Sequence, residues 1–272
     1  MEIKLSVIIP CYNHGKYLYE ALASIDQSIY REQIEVIIIN DGSTDRNTNK
    51  VIDELNPDKY IIINQENQGL ARSRNNGILK AQADYLLMLD ADNFIEQIFL
   101  SDFFKLINQN INFDALYGNS LFFGMENKIY KPGYIDLYRL INGNYIDACA
   151  IYKKQKLFDV GMYDTNMPYM GWEDWDLWLR LAFNNSIIRH SDKIYFHYRV
   201  LADSMIRSHN EIVIKDAFQF IYKKYLINLN NVDQIIESYI NKSISFKTLV
   251  KLALKKLKLN TNFKYKISKK TN

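Results

Sequence analysis

Two close-set groups of carboxylates stand out in the sequence. The first is Asp90-Ala91-Asp92, which closes the apolar run Tyr85-Leu86-Leu87-Met88-Leu89. The second is Glu173-Asp174, which opens a stretch with Trp175, Leu177, Trp178 and Leu181 at helical spacing. A buried strand that ends in acids delivers them at its carboxyl end, where open α/β sheets bind ligands. Two carboxylates one residue apart repel each other unless donors or a cation sit between them. Mg²⁺ and Mn²⁺, shared with substrate phosphates, are the usual hard cations for such a place. Asp-x-Asp also arises by chance, and Asp174-Trp175-Asp176 is a second copy. The pair acquires meaning only from its surroundings.

The elements that must position these acids follow from hydrophobic periodicity. Short β-branched runs at 5–10, 35–40 and 60–64 read as strands, and the run before Asp90 as a fourth. Helices are predicted between them, with Tyr17, Leu18, Ala21, Leu22 and Ile25 on one face of the first. Ser43, Thr44 or Asp45 caps the second helix, which extends to about Leu55, and the third covers 70–81. Strands alternating with helices imply a parallel, doubly wound sheet, and the unbroken apolar runs fit strands covered on both faces. Beyond Asp92 the pattern predicts a helix over 94–108, strands over 113–123 and 128–130, an apolar run over 146–152, and a helix over 172–183. Short strands at 187–189 and 194–200 and a helix over 211–240 complete the series.

Each of the first four strands ends in distinctive polar groups. Pro10-Cys11-Tyr12-Asn13 follows the first and Asp41-Gly42-Ser43-Thr44-Asp45 the second. Asn67 to Gly77, with Arg74, follows the third, and Asp90-Ala91-Asp92 the fourth. In a parallel sheet these ends converge on one crevice. Tyr12 offers a face on which a base can stack, Asp41 an acceptor for a base N–H, and Arg74 a fork for a carbonyl or phosphate. Asp90 suits a ribose hydroxyl and Asp92 a metal. No GxGxxG follows the first strand and no GxxxxGK[ST] occurs anywhere, which sets aside dinucleotide-binding and P-loop sites.

The blocks SVIIPCYN, EVIIINDGSTD, NQGLARSRNNGI, YLLMLDADN and GWEDWDLWLRL, in this order and spacing, resemble the family 2 glycosyltransferases over about residues 3–205. The resemblance implies an α/β fold of the GT-A type: a Rossmann-like, mostly parallel sheet flanked by helices, spanning 1–210, with a helical, Lys-rich C-terminal extension over 211–272. It implies an inverting transfer of a sugar from a nucleotide-diphosphate sugar, most often UDP-linked, to a hydroxyl of a saccharide or lipid-linked acceptor in surface polysaccharide synthesis. By position, Pro10, Tyr12, Asn13 and Asp41 match the nucleotide site, Arg74 the base or diphosphate contact, and Asp90 the ribose or sugar contact. Asp92 matches the ligand of Mn²⁺ or Mg²⁺, and Asp174 the general base. Glu173 would hold a sugar hydroxyl at the catalytic centre, and Trp172 would pack on a sugar face; Trp175 and Trp178 read as core. A helix N-terminus favours the ionised form of Asp174, as a base requires.

Of the four histidines, His197 is the candidate second metal ligand, and His14 reads as a solvated loop residue. The family pattern Tyr-Arg-x-His-x-x-Ser-Met is met here by Tyr198-Arg199-Val200-Leu201, with Leu201 at the place of that His. Arg199 or Arg207 is then the alternative diphosphate contact.

The 272 residues, 48% hydrophobic, suffice for a sizeable core. Two cysteines, Cys11 and Cys149, without CxxC spacing exclude a disulfide framework or zinc site and favour a reducing compartment. No apolar run reaches the ~18–20 residues that span a bilayer. A cytoplasmic protein, peripheral on the inner face of the membrane, is the expectation. Residues 242–272 hold ten Lys and no acid, leaving 24 basic against 31 acidic groups, a net of −7, elsewhere. An acidic body excludes nucleic acid as its partner. Phe246, Leu249, Val250, Ala253 and Leu257 against Lys247, Lys251, Lys255 and Lys258 describe a basic amphipathic helix suited to an anionic membrane surface. Two rivals remain at this stage: a sugar nucleotidyltransferase, which lacks its Gly-rich basic loop here, and a catalytically inactive glycosyltransferase-like module docking at a membrane.

Overall fold

The computed structural model describes residues 2–202 and 211–226. Compactness divides the chain into a unit Met1–Phe220 and a unit Ile221–Asn272, and the sheet and the cavity below belong to the first. The sheet has nine strands. β1 (Leu5–Cys11) lies between β2 (Ile34–Asp41) and β4 (Tyr85–Met88), and β3 (Ile61–Gln65) adds outside β2, all parallel. Every residue of β1 and β2 is buried, as continuous apolar runs covered on both faces require.

The period of two decides what each face meets. Leu5, Val7 and Ile9 share a core cluster with Val36, Ile38, Leu87 and Leu89. Leu18, Ala21, Leu22 and Ile25 of α1 (Gly15–Asp26) and Phe99, Leu100, Phe103 and Phe104 of α4 (Gln97–Asn108) cover that face. Each fully buried side chain of this size contributes about 1.5–3 kcal/mol. On the other face Ile8 and Ile39 meet α3 (Leu70–Lys80) at Gly77, where a Cβ would lie 2.4 Å from Ile8 Cγ2. Only glycine lets the helix approach that closely. Of the three capping residues open in the sequence, Asp45 caps α2 (Arg46–Asp53), its carboxylate accepting from the Asn47 and Thr48 amides at 3.3 and 2.9 Å.

Past Asp92 the structure departs from the sequence pattern in two ways. Phe94–Ile95 is not the start of a helix but a short strand, β5, antiparallel to β9 (Ile188–Val200). β9 is one 13-residue strand in place of two short ones, with a register irregularity opposite Gly118–Ser120. Tertiary pairing wins in both cases, because β9 runs beside β6 (Ala115–Gly124) and catches β5 on its other edge. β7 (Lys128–Tyr130) pairs with β6, and β8 (Ile151–Lys153) joins β4 and β6 antiparallel to both. Helices α5 (Leu137–Ile141), α6 (Lys154–Asp159), α7 (Glu173–Phe183) and α8 (Glu211–Leu226) complete the described chain. The later part of the helix expected over 211–240, Arg207 and the Lys-rich 242–272 segment lie outside the described residues.

Candidate functional site

The carboxyl ends of β1, β2 and β4 open onto a cavity of about 370 Å³, within the ~300–1,000 Å³ range of small-molecule sites. Pro10, Tyr12, Asp41, Arg74, Asp90, Asp92, Glu173 and Asp174 all line it. Two acid pairs more than eighty residues apart in sequence therefore share one chamber. Tyr12, an aromatic that is 45% exposed, stands in its wall.

On the β1–β3 side the polar residues build the walls. Asp41 is buried at the end of β2, and its carboxylate accepts from Gln65 Nε2 at 2.7 Å and from the amides of Gln68 and Gly69 at 2.8 and 2.9 Å. It fastens the loop after β3 over the crevice. Gly42 has φ +68, and a Cβ there would lie 2.6 Å from the Asn67 amide nitrogen, so the two loops touch only through glycine. Asn13 holds a left-handed φ of 58. Its carbonyl accepts from the Thr44 and Asp45 amides at 2.8 and 2.9 Å, and its amide donates to Thr44 Oγ1 at 3.1 Å. Asn13 ties the loops after β1 and β2 together and is not among the residues lining the cavity.

Arg74 joins the two acid pairs. Its side chain is only 2% exposed, and it donates to Asp90 Oδ1 at 2.8 Å and to Glu173 Oε1 at 2.7 Å. The expected fork toward base or diphosphate is thus engaged within the protein. Glu173 also accepts the Gly171 amide at 2.7 Å, which fixes the turn into α7. Such a buried ion pair tolerates removal of neither partner, because the charge left behind is stranded.

The acids around this bridge hold their protons more tightly than free carboxyls. Asp92 is pushed up to about 6 by enclosure and by Asp90, with His14 and Arg199 opposing. Asp147 is pushed up to about 7 by enclosure, with Asp90 adding to it. Asp174 is raised well above the ordinary value by enclosure, then by Glu173 and Asp147. Enclosure, with Glu173 and Asp147, opposes the ionised form of Asp174 that the N-terminus of α7 is expected to favour, and Glu173, Asp174 and Asp176 share one helical turn there. Two donors still favour the carboxylate, the Trp175 amide at 2.8 Å and Asn144 Nδ2 at 2.9 Å.

Two sequence-nominated residues lie apart from the cavity. His197 stacks on Phe94 with ring centroids 4.2 Å apart, and its Nε2 meets Glu96 at 2.6 Å. It does not line the chamber with Asp92, so the second-ligand expectation is not met by this geometry. A His on a strand between aromatic neighbours is a packing residue here. Trp172 packs on Trp175 and Phe218, and likewise does not line the cavity, which leaves Gly171 and Glu173 there instead. Arg199 does line it, with Nε donating to the Asp92 carbonyl at 3.0 Å and its guanidinium paired to Glu20.

His14, expected to be a solvated loop residue, lines the cavity with Nδ1 3.9 Å from Asp92. Two further residues at the site were not singled out from sequence. Asp147 and Asn144 come from the loop between α5 and β8. Asp147 had a signal: it is an acid set in the apolar run Ile146 to Ile151, where a charge needs a reason. Asn144 had none.

Among the described residues, no group of three or more His, Cys, Asp or Glu is arranged to hold a metal ion by itself. The donor set nevertheless fits a hard cation shared with a diphosphate. Asp92 could supply an oxygen ligand, beside Asp90, on a wall with more acids than cations, and Mg²⁺-type ions take one or two carboxylates and complete their shell from phosphate and water. No helix among the described residues is long and apolar enough to cross a membrane.

The sequence profile described as "Glycosyl transferase family 2" matches residues 6–163. The glycosyltransferase GlyA of Streptococcus pneumoniae is 36% identical over 109 residues, 39% of this chain and 15% of that protein. The poly-beta-1,6-N-acetyl-D-glucosamine synthase of Staphylococcus aureus is 30% identical over 177 residues, 60% of this chain and 42% of that protein. The chain thus spans less than half the length of these two relatives. Among solved structures, S. aureus TarS in complex with UDP-GlcNAc superposes with a TM-score of 0.64 at 22% identity, covering 79% of this chain and 64% of that one. The fold is therefore of the GT-A type.

Proposed function

Since the chain belongs to glycosyl transferase family 2, we propose that it transfers a sugar, with inversion, from a UDP-linked donor to a hydroxyl of a saccharide or lipid-linked acceptor in surface polysaccharide synthesis. One observation carries this reading: Asp90-Asp92 and Glu173-Asp174 line a single cavity and are joined through Arg74. A donor's diphosphate and its anomeric carbon need such groups on opposite sides. The relative that makes poly-N-acetylglucosamine and the fold neighbour that holds UDP-GlcNAc make an N-acetylglucosamine donor the first to test.

In this reading Tyr12 stacks on the base and Asp90 faces the ribose or sugar. Asp92, with Asp90 beside it, would hold Mn²⁺ or Mg²⁺, which when bound neutralises charge on the departing diphosphate. Asp174 accepts the proton of the acceptor hydroxyl as its oxygen bonds to the anomeric carbon and the bond to the nucleotide diphosphate breaks. Arg74 does not touch the donor; it holds Asp90 and Glu173 so that donor and base face each other. The Lys-rich 242–272 segment would bring the enzyme to an anionic membrane carrying the acceptor, each Lys contributing ~1 kcal/mol. Vesicle binding unchanged by deleting that segment removes the membrane part of the reading.

A thermal-shift screen of nucleotide sugars with and without Mn²⁺ tests the donor, and UDP-sugars are expected to stabilise most, and more with the cation. Asp174→Asn should reduce transfer by about 10²–10⁴-fold, the usual contribution of a general base, while UDP still binds. Near-normal transfer by that variant refutes the assignment of Asp174.

A further inference from the structure

Asp174 sits at the start of α7, but its surroundings are not set by α7 alone. α5 and the loop between it and β8 are stitched to that helix by two indoles, one to each. Trp175 Nε1 donates to the Leu140 carbonyl at 2.5 Å, and Trp178 Nε1 to the Asp147 carbonyl at 3.2 Å. Both tryptophans are fully buried, and the bond to Leu140 forms away from water. Between the two stitches lies Asn144. Its Nδ2 reaches Asp174 Oδ2 at 2.9 Å, and its Oδ1 accepts the Ile146 amide at 3.3 Å. The second bond fixes which end of the amide faces the carboxylate. Tyr145, next in the chain, is anchored in turn: Tyr130 donates to its carbonyl at 3.0 Å, and Arg139 lies 3.8 Å over its ring.

We propose that Asn144 is a positioning residue, whose amide holds the Asp174 carboxylate in one orientation and favours its ionised form. The loop between α5 and β8 then sets the pH at which Asp174 takes up a proton. The inference rests on the reading of Asp174 as the base.

The electrostatics give the donor something to oppose. Glu173 on the same helix and Asp147 on the loop press a proton onto Asp174, while Arg74 on α3 and the Trp175 amide favour the anion. Tyr152, Tyr163 and Tyr198 are the other titratable groups that feel Asp174, from β8, the stretch after α6 and β9. None of these tyrosines is charged at neutral pH. Trp175 N–H and Asn144 Nδ2 each donate to the carboxylate, one to each oxygen. The first is backbone and always present. The Asn144 donor is removed by a single substitution.

The test is a carbon-13 carboxylate titration of the full chain, with the Asp174 signal assigned by its loss in Asp174→Asn. Asn144→Leu keeps the side-chain shape and removes the donor. It should move the Asp174 midpoint upward by about one pH unit, the size of a hydrogen bond to a charged group. Asn144→Asp should move it at least as far. In hydrolysis of UDP-GlcNAc the acid limb of the rate profile should shift upward with it, lowering the rate at neutral pH about tenfold and leaving UDP affinity unchanged. Should Asn144→Leu fail to fold, the isosteric Asn144→Asp decides. An unmoved Asp174 midpoint in the folded variant overturns the proposal. A moved midpoint with transfer that survives Asp174→Asn overturns the base reading instead and leaves the contact standing.

Discussion

The two sides of the cavity are held by different means. On the β1–β3 side, polar side chains bond backbone amides of the adjoining loop: Asn13 those of Thr44 and Asp45, Asp41 those of Gln68 and Gly69. The parallel strands already bring those loops together, so each bond is a short reach. On the α7 side, the groups that matter are placed by buried contacts between distant segments. Arg74 reaches Glu173, Trp175 reaches Leu140, and Asn144 reaches Asp174. The wall around Asp41 is thus built from local loop chemistry, whereas Asp174 is placed by packing between distant segments.

The substitution that should break both sides at once is Arg74→Ala. It strands Asp90 and Glu173 as uncompensated acids, at a cost of about 3–5 kcal/mol in urea unfolding; donor binding and transfer should fall together. A loss confined to one of them means that the two sides are not coupled through this residue. Asp41→Ala comes next. It releases the loop after β3 and should cost about 2 kcal/mol, in line with charge-assisted hydrogen bonds. UDP binding should weaken strongly while the titration of Asp174 stays put.

The pH dependence sharpens the contrast further. Asp92, at about 6, and Asp147, at about 7, keep protons in the folded protein that the unfolded chain releases near 3.8. The native state therefore binds more protons between those values, and this contribution to stability falls as pH rises from about 4 to 7. Ligand-free protein should unfold at lower denaturant concentration at pH 7.5 than at pH 5 on this account, and Asp147→Asn should flatten the slope. A slope unchanged in that variant removes Asp147 from the explanation. The smallest effect is expected for Trp178→Phe, which keeps most of the packing and drops one hydrogen bond to Asp147, about 1 kcal/mol.

The β1–β3 side was legible because its signals are local. Strand runs at 5–10 and 35–40, followed by Tyr12 and Asp41, and Asp90-Asp92 after the fourth strand, place themselves once the sheet is parallel. Even there, what the residues touch was not readable. Asn13 and Trp172 turned out to support loops and packing, and His197 to pair with Glu96, because residue type says what a side chain can bond and not which partner is nearest.

By itself, then, the sequence determined the alternation of strands and helices, the end of the sheet at which acids gather, and the identities of the two acid pairs. These depend on periodicity and on residue order along single segments. Only the tertiary structure decided that Arg74 spends its charge on Asp90 and Glu173, that β9 is one strand capturing Phe94–Ile95, and that Asn144 and Asp147 join the site. Those outcomes follow from burial. A charge withdrawn from water must find a partner, and which partner lies within 3 Å is a property of packed segments that no single stretch of chain contains.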